Sequence, residues 1–226
     1  MEPNYHLLWE LERLRDEYRA EPNNLRRLLD PIEQELTEID ARLAGLTPPS
    51  DEHEQWAYES FREARGDEIE GLLAVAFVIA QTHVTQVVSR TMRVLEAAKF
   101  AGKPLTAFAP STEVSRDHVL QTASDVVPGT EYTQVQVLDA FANYFKHHEE
   151  WRGDWATLKD KKARKTAKVI AAAGAARGFG GNFRAGAEVL GNGSYKNVGV
   201  FVSIISAWRS GLVEALENAA HEAALL

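Results

Sequence analysis

Apolar residues recur along nearly the whole chain at the spacing of an α-helix, and no segment convincingly alternates apolar and polar positions as a strand does. A first apolar stripe predicts a helix over residues 5–20, which Pro22 ends. From Leu25 to Leu46 a second stripe alternates steps of four and three residues, the heptad pattern of helices that pack together. The two stripes predict an N-terminal helical hairpin over residues 1–46. The first stripe consists of Leu7, Leu8, Leu11, Leu14 and Tyr18.

The rest of the chain follows the same helical spacing after a proline-rich linker at residues 47–50. Residues 51–100 predict one long helix whose middle is apolar almost all round, which is typical of a helix in the centre of a bundle. The predicted fold is therefore all-α, a multi-helix bundle over residues 51–226 with a long central helix, preceded by the N-terminal hairpin. Four later helices are predicted: one around 113–124, one that begins at a capping box formed by Thr133 and Gln136, one around 157–174, and one from about 196 to 224. A glycine-rich loop is predicted over residues 178–194.

Composition narrows the class of protein. The chain has 226 residues and no cysteine, which excludes disulfides, thiolate metal sites and a cysteine nucleophile. Its longest apolar run, from Leu72 to Ala80, has nine residues, whereas a membrane-spanning helix needs about 20. The N-terminus shows no basic segment followed by an apolar one, so it predicts no signal peptide. We expect a cytoplasmic protein with no membrane partner.

Charge is distributed unevenly along the chain. The formal net charge is −8, which argues against indiscriminate nucleic-acid binding. Residues 1–70 carry 19 acidic and 8 basic residues, whereas residues 159–184 carry 8 basic residues and 1 acidic residue. This asymmetry indicates an interaction surface, or two oppositely charged segments that lie near each other or face solvent.

The segment Ala142–Trp151, with the sequence ANYFKHHEEW, places polar side chains in an aromatic run. At 100° per residue, His148 falls among the apolar side chains and is predicted to be buried or half-buried with one satisfying hydrogen bond, whereas His147 falls on the polar face. That polar face is either solvated surface or a site for phosphodiester chemistry. In the second case Asn143 would bind a phosphate-bearing ligand, Lys146 would supply positive charge, and His147 would transfer protons, because an imidazole titrates near neutral pH.

Asn143 followed by His147, late in a helix of an all-α chain, resembles the HEPN superfamily. The signature of that family is an arginine, a polar residue such as asparagine, a few more residues and a histidine; Ala142 occupies the arginine position here. The family includes RNA-cleaving toxins, antiviral effectors and inactive relatives, and two copies pair to complete the site. The resemblance implies a homodimeric, metal-independent endoribonuclease, or an inactive relative, that needs no cofactor.

Basic residues downstream are candidates for nucleic-acid contacts, each of which would neutralise a backbone phosphate. The helix predicted around 157–174 presents one basic face, which is either such a surface, a solvated face, or a face neutralised by the acidic hairpin. Arginines in the glycine-rich segment are candidates to replace the missing motif arginine. The aromatic residues Tyr144, Trp151 and Trp155 are candidate stacking surfaces for single-stranded bases, or core residues. The basic candidates are Lys161, Arg164, Lys165, Lys168, Arg177 and Arg184.

Two functions of different classes follow from these patterns. One is a HEPN-like nucleic-acid-binding or RNA-processing protein of a bacterial defence or toxin type, with or without catalysis. The other is a non-catalytic interaction or regulatory protein, antitoxin-like or a scaffold, that binds a protein partner through residues 1–46. The chain lacks the paired Glu-x-x-His motifs of di-iron bundles, so we predict no metal site.

Overall fold

The computed structural model describes residues 3–109, 114–151, 155–176 and 180–226, and describes side chains over the same ranges apart from residues 3, 4, 16–22 and 52. The described residues form α-helices and short 3-10 turns, with a single isolated antiparallel bridge between Val126 and Thr133. The predicted all-α bundle with a long central helix is confirmed. The helices are α1 (Pro3–Ala44), α2 (Glu52–Phe100), α3 (Arg116–Gln121), α4 (Gln134–His147), α5 (Lys161–Ala172), α6 (Asn182–Leu190) and α7 (Val200–Glu222), with 3-10 turns at His148–Glu150 and Trp155–Thr157.

The helices group into two compact units, each assembled from separate parts of the chain. The first unit comprises Met1–Arg26, Ala80–Gln136 and Phe201–Leu226. The second unit comprises Arg27–Ile79 and Val137–Val200. Because α1 and α2 each contribute to both units, this grouping does not follow the order of the chain. The sequence-based division into residues 1–46 and 51–226 follows the chain instead, and it stays a prediction.

At the N-terminus the structure differs from the predicted hairpin, because α1 is one continuous helix that runs through Pro22. A proline inside a helix costs about 3 kcal/mol. The apolar stripe nevertheless stays in register, since the buried Leu14 and Leu25 are 11 residues apart, close to three helical turns. Leu8, predicted to belong to the stripe, is 44% exposed, and Tyr18 lies outside the described side chains.

The long central helix α2 is continuous over its 49 residues, as predicted. Its buried side chains begin at Ile69 and continue through Phe77 to Ala98. The helix is long and apolar enough to cross a membrane if only length and composition are considered. However, 56% of its most apolar window is buried against the protein, as in the core helix of many proteins that never enter a membrane.

In the first unit, α7 is anchored by hydrogen bonds from two buried side chains. The indole nitrogen of Trp208 donates to the carbonyls of Val119 and Thr122, at 3.2 and 3.0 Å, where α3 ends. Arg209 Nε donates to the carbonyl oxygen of Leu14 in α1 at 2.9 Å. The bonds from Trp208 satisfy its buried indole N–H, and the bond from Arg209 ties its guanidinium to α1.

The second unit contains a helix that the sequence did not predict. The glycine-rich segment was expected to be a loop, but residues 182–190 form α6. Phe183, Gly186, Ala187 and Leu190 recur at helical spacing and are all buried, which indicates that an apolar face outweighs the low helix propensity of glycine. Gly181 precedes the helix in the left-handed conformation (φ 96°), which glycine adopts without strain.

Candidate functional site

The two adjacent histidines are both exposed, although the helical spacing predicted that only His147 would face solvent. The α-helix α4 ends at His147, whose φ and ψ are −130° and 0°, and residues 148–150 form a 3-10 turn. The His148 ring still lies 5.6 Å from the ring of Tyr144 and 6.4 Å from that of Phe145, measured between centroids. Phe145 is itself 39% exposed, so this end of the apolar stripe lies at the surface. His148 is therefore exposed, with its Nδ1 atom 2.9 Å from the carbonyl oxygen of Phe145. The prediction that His148 is buried or half-buried is wrong, whereas the predicted hydrogen bond is present.

Asn143 and His147 line one cleft of about 680 Å³ in the second unit. The C-terminal end of α4 and the following 3-10 turn form one wall, which also includes Glu150 and the buried Trp151. The opposite wall is formed by residues 157–160, Lys162, Ala163 and Thr166, at the start of α5. The two candidate catalytic side chains thus share one concave surface, as the spacing of four residues on a helix requires.

Hydrogen bonds restrain both of these side chains. The Nδ1 atom of His147 lies 3.3 Å from Glu150 Oε1, in a pair that is exposed to solvent. An exposed pair of this kind contributes little to stability, but it limits the orientations of the imidazole ring. Asn143 Nδ2 donates to Asp139 Oδ2, one turn earlier in α4, at 3.2 Å. The Asp139 side chain is buried, so it gives the Asn143 amide a fixed support.

Positive charge in the cleft comes from Lys159 and Lys162. Two carboxylates are also present, and each already has a partner: Glu150 faces His147, and Asp160 caps α5. Asp160 accepts hydrogen bonds from the backbone N–H groups of Ala163 and Lys162, and these bonds lower the pKa of its carboxyl group. The two lysines are therefore the groups on this wall that can meet an anionic ligand.

An aromatic cluster adjoins the cleft. The ring of Tyr144 lies 5.4 Å from that of Trp151, 5.7 Å from that of Trp155 and 5.6 Å from that of His148, measured between centroids. The Tyr144 hydroxyl accepts a hydrogen bond of 3.0 Å from Asn182 in α6, which holds the cluster against that helix. Trp151 is buried and lines the cleft, whereas Trp155 is half-buried.

The basic candidates from the sequence do not converge on the cleft. Lys161, Lys165 and Lys168 are exposed and Arg164 is half-buried, and none of them lines the cleft. Sequence reasoning missed Lys162 because it lies between the two faces, although its spacing of four residues from Thr166 places these two residues on one side of α5.

The remaining predicted basic residues also lie elsewhere. Lys146 is exposed but does not line the cleft. The guanidinium of Arg184 stacks over the ring of Tyr195, 4.7 Å from its centroid, and Arg177 lies outside the described residues. Ala142, at the position of the HEPN motif arginine, is fully buried, so that position points away from the cleft.

No protein-family model matches the chain, and no curated protein or solved structure matches it either. Across the described ranges, no group of three or more His, Asp or Glu side chains is arranged to hold a metal ion. The chemistry of the site therefore has to be inferred from the geometry of this cleft.

Proposed function

We propose that the cleft between α4 and α5 binds single-stranded RNA and cleaves it without a metal ion, as in a HEPN-like protein of a bacterial defence or toxin type. The observation that supports this proposal is that Asn143 and His147 share one cleft with Lys159 and Lys162. A proton-transfer group, an amide and two ammonium groups on one concave surface meet the requirements of phosphodiester chemistry.

The proposed reaction is an internal transfer at the RNA phosphate. The 2′-hydroxyl attacks the neighbouring phosphorus while His147 accepts its proton, and the bond from phosphorus to the 5′-oxygen breaks. The leaving oxygen takes a proton from water, so the products are a 2′,3′-cyclic phosphate and a 5′-hydroxyl. Lys159 and Lys162 stabilise the negative charge that builds up on the phosphoryl oxygens.

The neighbouring histidines supply a matched test of catalysis. Labelled single-stranded RNA is incubated with wild type, His147→Ala and His148→Ala in the presence of EDTA. We expect His147→Ala to lower the cleavage rate by about 10²-fold or more, the usual contribution of a general acid or base. His148→Ala should keep the wild-type rate, because His148 does not line the cleft. Equal rates for wild type and His147→Ala contradict the proposed role of His147.

RNA binding is tested separately from cleavage with two neighbouring lysines. Lys162 lines the cleft and Lys161 does not. We expect Lys162→Ala to weaken RNA binding and to reduce the slope of log K against log salt by about 0.7, the value for one lost phosphate contact on a single strand. Lys161→Ala should leave the slope close to wild type. Binding without cleavage would retain the cleft as an RNA-binding site and remove the catalytic step.

We extend this proposal to a cytoplasmic homodimer, in which a second copy brings basic residues to the same RNA. Sedimentation of the full chain with and without RNA measures this directly. A chain that stays monomeric in both conditions would leave the cleft of one protomer to act alone.

A second candidate function is protein interaction through α1, and it has support in the structure. Tyr5, Leu8 and Trp9 are large apolar side chains, all 44% exposed or more, on the first turns of α1. Deleting residues 1–46 cannot test this, because Leu7, Leu25 and other core residues would be lost. Leu8→Glu is the better variant. We expect Leu8→Glu to abolish self-association or partner binding. Leu28→Glu, at an exposed position further along α1, should leave this association unchanged.

A further inference from the structure

Glu10 is an acidic residue inside the apolar stripe of α1. It lies one turn after Leu7 and one turn before Leu14, and both leucines are fully buried. The Glu10 side chain is only 4% exposed, and its Oε2 atom has no hydrogen-bond partner in the described part of the chain. A carboxylate oxygen that has lost water without gaining a donor is destabilising, and a donor brought by a ligand would remove that penalty.

The same side chain lines a groove of about 480 Å³ in the first unit. The groove lies between the start of α1 and the end of α2. It shares no residue with the cleft between α4 and α5. Phe100 on its rim is 81% exposed, so its ring can change rotamer without disturbing the core. The lining residues are His6, Glu10, Arg93, Glu96, Ala97 and Phe100.

The charges and rings of this groove define the ligand that would fit. The groove has two negative side chains, Glu10 and Glu96, and one positive side chain, Arg93, so its net charge is −1 when His6 is neutral. A ligand with a single positive charge neutralises it. The rings of His6 and Phe100 also favour an organic cation, because an aromatic face attracts positive charge. An inorganic divalent ion is a poorer match, since no group of three ligating side chains is found among the described residues.

We propose that this groove binds a small primary monoamine in its ammonium form. The ammonium group donates to the Glu10 carboxylate, which the described chain leaves without a donor at Oε2. The alkyl chain lies against Ala97 and the ring of Phe100. A primary ammonium carries three N–H donors, and a charge-assisted hydrogen bond to a buried carboxylate is stronger than a neutral one.

Isothermal titration of n-hexylamine into the full chain at pH 7 tests the proposal. We expect one saturable site for hexylamine, which is protonated at this pH as a lysine side chain is. The uncharged 1-hexanol and the anionic hexanoate have the same chain length, and neither should bind at the same concentrations. Equal binding of 1-hexanol would show that the groove selects only for apolar surface, and this overturns the proposal.

Variants assign the site to Glu10. Glu10→Gln keeps the shape of the side chain and removes its charge, so we expect the affinity for hexylamine to fall about tenfold or more. Phe100→Ala should also weaken binding, and because Phe100 is exposed this variant keeps the fold. Glu149→Gln, an exposed position outside the groove, serves as the control. Should Glu10→Gln fail to fold, Phe100→Ala decides: an unchanged affinity overturns the proposal.

The ammonium group can come from a free amine or from a lysine side chain. Nα-acetyl-lysine amide is therefore titrated alongside hexylamine. Tighter binding of hexylamine assigns the groove to a free monoamine, and tighter binding of the blocked lysine assigns it to a lysine of a peptide. Absence of binding by both compounds contradicts the proposal.

Discussion

Gly186 shows how a single residue sets the distance between two helices. A Cβ atom at position 186 of α6 would lie 2.5 Å from two ring carbons of Phe141 in α4, closer than any real contact of this kind. Phe141 is fully buried and stacks on Phe77, with ring centroids 5.0 Å apart, so the ring has no empty space to enter. The absence of a side chain at position 186 therefore permits the close packing of α6 on α4.

We predict that Gly186→Ala destabilises the protein by about 1–3 kcal/mol, the usual cost of overpacking a core. Gly66 in α2 is the matched control, because a Cβ atom there would have no neighbour within 4 Å. Gly66→Ala should instead raise the free energy of unfolding by about 0.5–1 kcal/mol, since alanine favours the helix. Urea unfolding of both variants measures the difference, and a neutral Gly186→Ala contradicts the packing described here.

At the scale of elements, α6 depends on a carboxylate from another helix. The residue at its N-terminus, Gly181, offers no side chain to cap the free N–H groups of the first turn. Glu70 of α2 supplies the cap instead: its carboxylate accepts hydrogen bonds from the N–H groups of Phe183 at 2.9 Å and Arg184 at 3.1 Å. Negative charge at a helix N-terminus also complements the helix dipole.

Removing this cap should loosen α6 before the rest of the protein. We expect Glu70→Ala to lower the free energy of unfolding by about 1–2 kcal/mol, as the loss of an N-cap does. Amide hydrogen exchange should increase within residues 182–190. Glu63→Ala, at an exposed position of the same helix α2, is the control and should leave both quantities close to wild type. Unchanged exchange in α6 after Glu70→Ala would show that the cap is dispensable.

At the scale of the whole molecule, stability depends on contacts between residues far apart in the chain. In the second unit, Asp40 of α1 accepts hydrogen bonds from the Tyr195 hydroxyl and from Lys196 Nζ, both at 2.5 Å. The bonds from Lys196 and Tyr195 hold the pKa of the Asp40 carboxyl below its ordinary value of 3.8. Burial and the hydrogen bond to Asp40 raise the pKa of Tyr195 to about 12.

These shifts predict the direction in which stability changes with pH. The lowered pKa of Asp40 means that the unfolded chain binds the proton more readily than the folded chain. The contribution of ionised Asp40 to the free energy of unfolding is therefore present above pH 3.8 and is lost as the pH falls below it. The raised pKa of Tyr195 has the opposite effect. The contribution of the protonated Tyr195 hydroxyl to the free energy of unfolding is present below pH 10 and is lost as the pH rises towards 12.

The acidic side of this prediction is tested with Asp40→Asn. The gap in free energy of unfolding between wild type and Asp40→Asn should be largest above pH 5 and should narrow as the pH falls towards 2, because protonated Asp40 and asparagine are then both uncharged. Tyr195→Phe should lower stability but retain most of the acid dependence, since Lys196 still binds Asp40. A gap that stays constant over this pH range contradicts the assignment.

Prediction from the sequence succeeded where the determining contacts are local. The spacing of Leu25, Leu29 and Leu36 on α1 correctly identified buried positions. The capping box at Thr133 and Gln136 is confirmed, with reciprocal hydrogen bonds of 2.9 and 3.2 Å. Asn143 and His147 share a cleft for the same reason, because residues four apart in a helix lie on one side.

The failures share a cause, which is that the deciding contacts are distant in sequence or lie at a helix end. His148 is exposed because the apolar stripe of α4 reaches the surface at Phe145, where the helix ends in a 3-10 turn. The glycine-rich segment became α6 because Phe141 and Glu70, at least 40 residues away, provide its packing surface and its cap. The cleft lysines were not identified because the approach of α5 to α4 is a tertiary contact.

The sequence by itself determined that the chain is helical and which faces of most helices are apolar, because backbone hydrogen bonds and side-chain periodicity repeat within a few residues. Only the tertiary structure decided which lysines meet His147, that Gly186 has to be a glycine, and that Glu10 is buried without a donor at Oε2. Those outcomes depend on how closely separate helices approach one another, and close packing of distant segments is not encoded in any local pattern.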